Sequence, residues 1–596
     1  MEHKKCYDVD FYDCVNSDWT KEKISIPNEF TKWNTFNKIL FENFNILQDI
    51  IKNNKTISQV NKLYINKNDN GLKLLYKYIK KINDQNNKKM LFNFMFKLYL
   101  KYNIDFVLNI FIHNKPRNTD TLIPYIEHND DLLKSSSSKD KERFMSLVNT
   151  VSDLTKIKMN PDNIYYICNI LKRINNLNSD EKIINYMDLI KTFDNLDFIS
   201  IFFIKYNKNI NDVYITNYDY IKDLNKLISF IDISVWKEYF IFNFISKFYF
   251  CFSKEIELTY YKYYKEIYFG SMQYVSYIRK NAIIINLFNQ YIEELYINKF
   301  NNIMTEIKTK IIYIFDMIKN IFTSYINDEK NKLSITTKEK IISRLDNIKL
   351  LIGYPDKRII NIPTININKS FFYNTRKCIK SNMYNRFDNY KYQNNNIWGD
   401  YIYNPNGYYS LYTNTIIIPL GVLCEPLYFH YDKDFIFNFS AIGIILGHEL
   451  IHAYDISVTK IPNYTFLYDS DKIKYLEQIK KLKIQFLDDD NAIGEIMADI
   501  IGISMSLTAM VIYLKKNKVE DMKPHYRNFF IKYSLIWKNI TIDDLPKESN
   551  EKKDVHLSFK PRVNKILANI DEFYDAFDIT SSYKYYIPPN DRYRMF

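Results

Sequence analysis

The sequence predicts a mainly α-helical protein of the α+β class that folds into two lobes. A chain of 596 residues is too long for one compact hydrophobic core. From about residue 51 to residue 350, Leu, Ile, Phe and Tyr recur at three- and four-residue intervals between Lys and Asn, which is the pattern of amphipathic helices. Residues 408–423 carry β-branched and aromatic side chains interrupted by Pro419 and Gly421, which indicates a small β-sheet.

The ends of some segments can also be predicted. Thr336 and Glu339 have the spacing of a capping box, apolar residues follow at helical intervals to Leu351, and Gly353 is expected to end that helix. The chain is divided accordingly into an N-terminal segment over 1–50, a helical lobe over 51–360, a polar and Asn-rich linker over 361–396, and a second lobe over 397–596.

The distribution of charge does not favour a nucleic-acid-binding protein. The formal net charge is +13, but Lys is spread through the chain without a dense basic cluster. A nucleic-acid interface requires positive charge that is localised on one surface. We therefore expect no nucleic-acid partner.

No segment of the sequence has the features of a membrane span or a secretory signal. The chain begins with polar residues, and no apolar stretch precedes Asp10. The longest apolar run, from Ile500 to Leu514, is shorter than the roughly 20 residues that cross a bilayer. We expect a soluble, intracellular protein and assign it to the cytoplasm.

A metal-binding motif lies in the second lobe. His448, Glu449 and His452 form the pattern H-E-x-x-H, and residues four apart lie on one face of an α-helix. Two imidazoles can therefore bind one zinc ion while Glu449 lies beside a metal-bound water. The alternative is that both histidines are ordinary core residues. The chain has only 8 His, which argues against a chance pairing around a Glu.

A second apolar segment supplies a candidate third ligand. Catalytic zinc sites use three protein ligands and leave one position for water. Glu495 and Asp499 are four residues apart, so Glu495 can bind the metal while Asp499 accepts a ring N–H from a histidine. The alternative for Glu495 is a carboxylate that only favours the start of a helix. Two carboxylates on one face of an apolar helix favour the metal site.

Further motifs follow in order along nearly the whole chain. They are Asp10-Phe11-Tyr12, Leu351-Ile352-Gly353-Tyr354-Pro355-Asp356, Asn406-Gly407-Tyr408-Tyr409-Ser410, Ile418-Pro419-Leu420-Gly421-Val422-Leu423, and Asp554-Val555-His556 with Arg562 six residues after the histidine. Together with the metal motifs, they resemble the neprilysin and endothelin-converting-enzyme family of zinc metallopeptidases. The resemblance implies a thermolysin-like catalytic lobe with a small sheet and one zinc ion. It also implies a large all-helical lobe that caps a central cavity, with the N-terminal segment packed on the catalytic lobe.

The resemblance implies a role for each candidate catalytic residue. Glu449 accepts a proton from the attacking water and passes it to the leaving amine. His556 stabilises the oxyanion of the tetrahedral intermediate, and Asp499 acts through a zinc-binding histidine. Asp455 orients His556 or braces the zinc-binding helix. The alternative for His556 is a surface histidine beside Asp554.

The resemblance also implies how a peptide substrate is held. Asn406 and Gly407, where the family has Ala in place of the Gly, bind the substrate main chain beside a strand. Arg562 holds a substrate carbonyl. The alternative for Asn406 is a turn residue after Pro405. The pocket for the residue after the cleaved bond is formed by Phe36, Ile445 and Trp537.

These assignments lead to one leading function and one alternative. We expect a zinc-dependent endopeptidase that cuts small peptides on the amino side of hydrophobic residues. Family residues that grip a free substrate carboxylate correspond to Lys32 and Leu40, which disfavours release of dipeptides from a free C-terminus. The alternative is a catalytically weak protein that sequesters peptides on the same scaffold. The oligomeric state is open, and we favour a monomer.

Cysteine usage bears on the compartment. The chain has six cysteines, but several family cysteine positions are replaced. The replacements are Asn16, Lys538, Ile579 and Tyr593. Loss of these disulfides fits a reducing compartment.

Overall fold

The computed structural model describes residues 6–596 except 8, 22–25, 28–29, 31, 68–69, 116–117, 130–136, 176–179, 207–210, 269–275, 357–359, 361, 392–397, 399, 412, 433–434, 460–464, 487–489 and 542–555. Helices dominate the described residues, which confirms the predicted mainly α-helical class. Many helices begin at an Asn, Ser or Asp whose side chain accepts a backbone N–H, as Asn34 does from Asn37 at 2.8 Å. The abundant Asn residues therefore help to delimit the helices.

The helices have the following bounds. They are α1 (Phe11–Lys21), α2 (Thr35–Asn53), α3 (Lys55–Ile65), α4 (Asn70–Asn83), α5 (Lys88–Tyr102), α6 (Ser138–Thr155), α7 (Pro161–Asn175), α8 (Tyr186–Thr192), α9 (Ser200–Tyr206), α10 (Tyr218–Phe230), α11 (Ile233–Phe248), α12 (Lys254–Tyr268), α13 (Ser276–Leu287), α14 (Asn289–Asn298), α15 (Met304–Asn327), α16 (Ile335–Asp346), α17 (Phe371–Lys391), α18 (Phe435–Phe439), α19 (Ile442–Ile451), α20 (Ile456–Thr459), α21 (Asp469–Phe486), α22 (Asp490–Lys516), α23 (Lys523–Ile536), α24 (Phe559–Leu567) and α25 (Asp571–Phe577).

Within the described residues, the strands form three small sheets. The strands are β1 (Lys32–Asn34), β2 (Leu108–Lys115), β3 (Asn118–His128), β4 (Lys182–Asn185), β5 (Asp212–Ile215), β6 (Lys349–Gly353), β7 (Tyr408–Ser410), β8 (Thr415–Pro419) and β9 (Asn539–Thr541). β1 pairs antiparallel with β9 and so joins the two ends of the chain. The other sheets have the orders β2-β3-β5-β4 and β6-β8-β7.

The capping lobe is not all-helical, which corrects one detail of the predicted fold. The sheet β2-β3-β5-β4 lies within it, with β2 antiparallel to β3 and β3 parallel to β5. Leu108, Ile110 and Ile112 are buried along β2 and alternate with more exposed residues. This two-residue period is that of a half-buried strand.

The structure also corrects the predicted start and end of one helix. α16 begins after Ser334, whose Oγ accepts the backbone N–H of Thr337 at 3.2 Å, and not at a capping box formed by Thr336 and Glu339. The helix ends at Asp346, and the apolar residues after it form β6. They leave the helical pattern because β6 pairs in parallel with β8 along its whole length.

Contacts between elements cross the predicted boundaries between lobes, and those boundaries stay a prediction. α15 packs against α19 and α22, and β6 pairs with β8, so these parts of the 51–360 segment lie on the side of the zinc motif. α17 occupies most of the predicted linker and packs against α5, α3 and β2 of the capping lobe. Residues 371–391 of the predicted linker therefore form a helix of the packed structure.

Two apolar segments are long enough to cross a membrane. They are Phe435–Thr459 and Ala492–Lys516, but 78% and 72% of their most apolar 18-residue windows are buried inside the protein. Both contain parts of the zinc motifs. Burial of this extent is that of core helices in a globular protein.

The N-terminal region contains a disulfide that the sequence analysis did not predict. Cys6 is bonded to Cys14, and the other cysteines of the chain are free. This disulfide does not support the reducing compartment that was inferred from the sequence, because disulfides persist in oxidising environments. The cellular location remains a prediction.

Candidate active site

Two packed helices carry the candidate metal ligands. α19 presents His448 and has His452 at its C-terminal cap, while α22 presents Glu495. The helices approach closely at two glycines, because a Cβ on Gly447 would lie 2.8 Å from the Cα of Gly502. Any side chain at this crossing would push the two helices apart.

The three ligand atoms predicted from the sequence lie together. His448 Nε2 and His452 Nε2 are 3.0 Å apart. Glu495 Oε2 lies 3.2 Å from His448 Nε2 and 3.6 Å from His452 Nε2. The three atoms form a compact triangle at the crossing of α19 and α22.

A carboxylate holds the other ring nitrogen of each histidine. His448 Nδ1 lies 2.8 Å from Asp499 Oδ1, and His452 Nδ1 lies 2.8 Å from Asp455 Oδ2. From the sequence, Asp455 was expected to orient His556 or brace the zinc-binding helix, whereas in the structure its carboxylate contacts His452. Such carboxylates favour a proton on Nδ1 and leave Nε2 available as a metal ligand.

Arg562 completes the buried cluster around Asp499. Its Nε and Nη2 donate to the two carboxylate oxygens of Asp499 at 2.6 and 2.7 Å. Its guanidinium carbon lies 3.9 Å from the ring centroid of Trp537. Burial alone would raise the pKa of Asp499, but the charge of Arg562 and the hydrogen bond to His448 hold it at about 2. Asp499 is therefore an ionised acceptor for the His448 ring.

Glu495 places a second negative charge in the buried cluster. Burial opposes ionisation of Glu495, but the His448 and His556 imidazoles hold its pKa well below the usual range. Its Oε2 is buried and makes no well-formed hydrogen bond. Burial likewise lowers the pKa of His448, but Asp499 and Glu495 outweigh this effect and raise it to about 10. A cation at the triangle satisfies the carboxylate and displaces the imidazole proton.

The cluster opens on a cleft with a volume of about 750 Å³. Its walls contain every residue that the sequence analysis assigned to catalysis, metal binding or substrate binding. They are Phe36, Asn406, Gly407, Ile445, His448, Glu449, His452, Asp455, Glu495, Asp499, Trp537, His556 and Arg562. The fold therefore brings together residues from both ends of the chain.

One edge of a sheet borders the cleft. In the order β6-β8-β7, one side of β7 faces no other described strand. Asn406 and Gly407 directly precede β7 and line the cleft. A Cβ on Gly407 would lie 3.2 Å from Ile418 Cδ1 and 3.3 Å from Ile445 Cγ2, so the glycine lets the backbone lie close to the apolar wall.

The N-terminal segment supports the aromatic wall of the cleft. The Phe36 and Trp537 rings have centroids 5.4 Å apart. Tyr12 lies behind this pair: its hydroxyl donates to the Trp537 carbonyl at 3.3 Å and accepts the Asn539 N–H at 3.1 Å. α1 also packs against α23 and α24. The role of Tyr12 was not identified from the sequence, although it lies in the Asp10-Phe11-Tyr12 motif.

His556 lies at the open end of the ligand cluster. Its Nε2 is 3.1 Å from Glu495 Oε2, and its side chain is 39% exposed. His448, Glu495 and His556 each contribute one potential ligand atom to a group in which all three atoms lie within 4.8 Å of one another. Asp554, which the sequence analysis placed beside His556, lies outside the described residues.

Comparison with known proteins decides the family. Two family models, both described as peptidase family M13, match residues 8–355 and 406–593. The chain belongs to peptidase family M13. This confirms the resemblance stated from the motifs, and it makes the chain a zinc metalloendopeptidase with one catalytic zinc ion.

The sequence relatives of this M13 chain are distant. A zinc metalloproteinase of Acanthamoeba polyphaga mimivirus is 23% identical over 452 residues, which are 69% of this chain and 67% of the relative. A neutral endopeptidase of Lactococcus lactis is 28% identical over 289 residues, 44% of this chain and 43% of the relative. Neprilysin-3 of Drosophila melanogaster is 27% identical over 270 residues, 40% of this chain and 34% of the relative. The last two alignments span less than half of those proteins.

Solved structures support the two-lobe fold over the whole chain. Zinc metalloprotease ZMP1 of Mycobacterium tuberculosis superposes with a TM-score of 0.79 over 99% of this chain and 97% of that chain, at 15% identity. PepO from Lactobacillus rhamnosis superposes with a TM-score of 0.76 over 98% of this chain and 99% of that chain, at 16% identity.

The donor atoms of the M13 site fit a zinc ion. Ligands of a tetrahedral zinc with bonds of about 2.0–2.2 Å lie about 3.4 Å apart. The three Nε2 and Oε2 atoms here are separated by 3.0, 3.2 and 3.6 Å. Two imidazoles and one carboxylate also leave the fourth position for water.

Proposed function

We propose that this M13 endopeptidase hydrolyses small peptides on the amino side of hydrophobic residues. The observation that carries the proposal is the cleft of about 750 Å³, whose lining includes the ligand triangle, residues of the edge strand β7 and the aromatic pair Phe36 and Trp537. A cleft of this size encloses a short stretch of peptide and excludes a folded domain.

In this proposal His448, His452 and Glu495 would hold the zinc ion, which would supply Lewis-acid activation of the scissile carbonyl and of the attacking water. Glu449 follows His448 directly on α19, is only 7% exposed and lines the cleft. Its carboxylate accepts the proton of the attacking water and passes it to the leaving nitrogen. Asp499 keeps the His448 ring in position during both steps.

Two basic side chains, His556 and Arg562, complete the site. His556 donates a hydrogen bond to the oxyanion of the tetrahedral intermediate, since its Nε2 lies beside the ligand cluster and its ring faces the open cleft. Arg562 uses two of its five N–H groups on Asp499. The remaining groups are available to a substrate carbonyl.

The substrate main chain is proposed to lie beside β7. Extended peptides commonly bind by adding a strand to a sheet edge, with main-chain hydrogen bonds that do not depend on sequence. Asn406 and Gly407 lie at the start of this edge and bind the substrate backbone. The residue after the cleaved bond then enters the pocket of Phe36, Ile445 and Trp537, which supplies the preference for a hydrophobic side chain.

The experiment is cleavage-site profiling of a peptide library by mass spectrometry. Wild type should cut before Phe, Leu or Ile, and Phe36→Ala should broaden that preference. Phe41→Ala is the control, because Phe41 lies on the same helix and contacts Phe30 and Trp33 outside the cleft. Cleavage with no preference for the residue after the cut would contradict the proposed pocket.

The same assay separates the enzyme from the alternative. A protein that holds one zinc and cuts no peptide, yet binds library peptides, is the sequestering protein. Lys32 on β1 lacks the bidentate fork of Arg, and Leu40 on α2 carries no charge, so we propose internal cleavage and not removal of C-terminal dipeptides.

We also propose that the protein is a soluble monomer, that it is located in the cytoplasm, and that it has no nucleic-acid partner. Light scattering after size-exclusion chromatography should give the mass of one chain. A dimer mass would refute the monomer.

A further inference from the structure

We propose that Tyr12, in the N-terminal segment, is a positioning residue that makes the pocket for the residue after the cleaved bond selective for large hydrophobic side chains. The inference rests on the proposed function and extends it to a residue outside the cleft. Tyr12 belongs to the Asp10-Phe11-Tyr12 motif, is only 6% exposed and does not line the cleft. It therefore acts through another side chain, which is Trp537.

The Tyr12 hydroxyl bridges the chain on the two sides of Lys538. It donates to the Trp537 carbonyl at 3.3 Å and accepts the Asn539 N–H at 3.1 Å. Helix α23 ends at Ile536, and strand β9 begins at Asn539. The two hydrogen bonds therefore hold the two-residue link between α23 and β9, which is the backbone that carries the Trp537 side chain.

Tyr12 is itself held by contacts that do not involve its hydroxyl. Its backbone N–H donates to Asn564 Oδ1 at 2.9 Å. One turn later on α1, Asn16 Nδ2 donates to Ser534 Oγ at 3.0 Å. The preceding residue, Phe11, is fully buried and packs against aromatic rings of α25. Removal of the hydroxyl should therefore leave α1 in place and abolish only the two bonds to the link.

Trp537 transmits the effect to the pocket and not to the metal site. Its ring centroid lies 5.4 Å from that of Phe36, and both residues line the cleft. The Arg562 guanidinium also packs on the Trp537 ring, but its two hydrogen bonds to Asp499 hold it independently. A change in the position of the Trp537 ring should therefore alter the apolar pocket and leave the zinc ligands in place.

The effect on catalysis depends on the side chain that enters the pocket. The free energy gained by burying an apolar side chain grows with the area that is buried, so Phe gains much more from the pocket wall than Ala does. A displaced or mobile wall should therefore weaken binding of Phe and have little effect on Ala. We expect a change of about fivefold in this preference, the effect of losing one neutral hydrogen bond.

The test compares two substrates in wild type and Tyr12→Phe. The probes are internally quenched hexapeptides that differ only in carrying Phe or Ala after the cleaved bond. In Tyr12→Phe, kcat/KM for the Phe probe should fall about fivefold, mainly through KM. The values for the Ala probe and the zinc affinity should stay at those of the wild type.

A spectroscopic measurement reports on the ring directly. The chain has five Trp, so fluorine NMR of protein labelled with fluorotryptophan gives few resonances. Those of Trp537 and Trp236 are assigned with the Trp537→Phe and Trp236→Phe variants. The Trp537 resonance should shift or broaden in Tyr12→Phe. The resonance of Trp236, which lies on α11, should not change.

Tyr574→Phe is the matched control. The Tyr574 hydroxyl donates to the Ala568 carbonyl at 2.8 Å and accepts the Ile587 N–H at 3.1 Å, which is the same pattern of bonds. Tyr574 is 7% exposed and does not line the cleft. This variant should lose similar stability in thermal unfolding and keep both the wild-type preference for Phe over Ala and the Trp537 resonance.

The possible results separate the positioning role from the proposed function. A wild-type preference in Tyr12→Phe, or an equal fall in kcat/KM for both probes, would overturn the positioning role. The same change of preference in Tyr574→Phe would also overturn it, because the effect would then follow from lost stability alone. A wild type that cuts both probes equally well would instead refute the proposed pocket, and the role of Tyr12 would fall with it.

Discussion

Replacement of Gly502 by Ala should weaken zinc binding by moving the two ligand helices apart. A Cβ at this position would lie 2.7 Å from the backbone nitrogen of His448 and 3.1 Å from the carbonyl carbon of Gly447. Ordinary contacts begin at 3.4 Å, so α19 must move by about 0.7 Å relative to α22 in a close-packed interior. Functional side chains tolerate displacements of about 0.5 Å. His448 and Glu495 should therefore no longer converge on one ion.

The expected loss is at least about tenfold in zinc affinity, the size of effect that follows when the support of a metal ligand is removed. Overpacking destabilises by about 1–3 kcal/mol, and the better helix propensity of Ala offsets about 1 kcal/mol of it. The free energy of unfolding should therefore fall by about 1 kcal/mol. Competition with a fluorescent chelator measures the affinity, and thermal unfolding of the metal-free protein measures the stability.

Gly71→Ala is the matched control. Its Cβ would lie 2.8 Å from the Cys251 carbonyl oxygen, which is a comparable clash with backbone in the capping lobe. This variant should lose similar stability and keep wild-type zinc affinity. Wild-type zinc affinity in Gly502→Ala, or an equal loss of affinity in Gly71→Ala, would refute the reasoning.

Other changes probe the remaining parts of the site and the C-terminal region. Asp499→Asn should weaken zinc affinity about 10- to 100-fold in the same competition assay, because the His448 ring loses its anionic partner; unchanged affinity would contradict this role. His556→Phe should lower kcat about 100- to 1000-fold while the zinc content stays at one per chain; loss of zinc would instead make His556 a ligand. Burial raises the pKa of Asp571, but the hydrogen bonds and charges of Arg592 and Arg594 outweigh it and lower the pKa. A depressed folded-state pKa stabilises the fold above the unfolded-state value of about 3.9, and this contribution is lost as the pH falls through the folded-state pKa. The difference in Tm between wild type and Asp571→Asn should thus be constant from pH 7 to pH 5 and shrink towards pH 3. A Tm difference that does not change with pH would show that ionisation of Asp571 does not stabilise the fold.

The zinc cluster was largely predictable because its geometry is local to two helices. The four-residue spacing of His448 and His452, and of Glu495 and Asp499, fixes which side chains share a face. The partner of Asp455 was not predictable, because it depends on how the chain turns after α19. The glycine contact was missed for a similar reason. Gly447 precedes a ligand and Gly502 lies seven residues after Glu495, but only the crossing of the helices shows that they touch.

Longer-range pairing explains the errors in the fold. The apolar residues of β6 continue the spacing of α16 and fit a helix by sequence, but parallel pairing with β8 draws them into a strand. The alternation in β2 was present in the sequence. It was hidden because Ile, Asn and Tyr recur throughout the helices as well. Pairing of β3 with β5 joins segments that are distant in the chain, so no local sequence pattern predicts this pairing.

Glu449 is the proposed base of a working zinc peptidase, and the substitution Glu449→Gln tests this role. The substitution keeps the shape of the side chain and removes its ability to accept a proton. Zinc content and cleavage of a quenched peptide library should be measured on both proteins. We expect one zinc ion in each protein and cleavage before hydrophobic residues by the wild type alone. Cleavage at the wild-type rate by a zinc-loaded Glu449→Gln variant would contradict it.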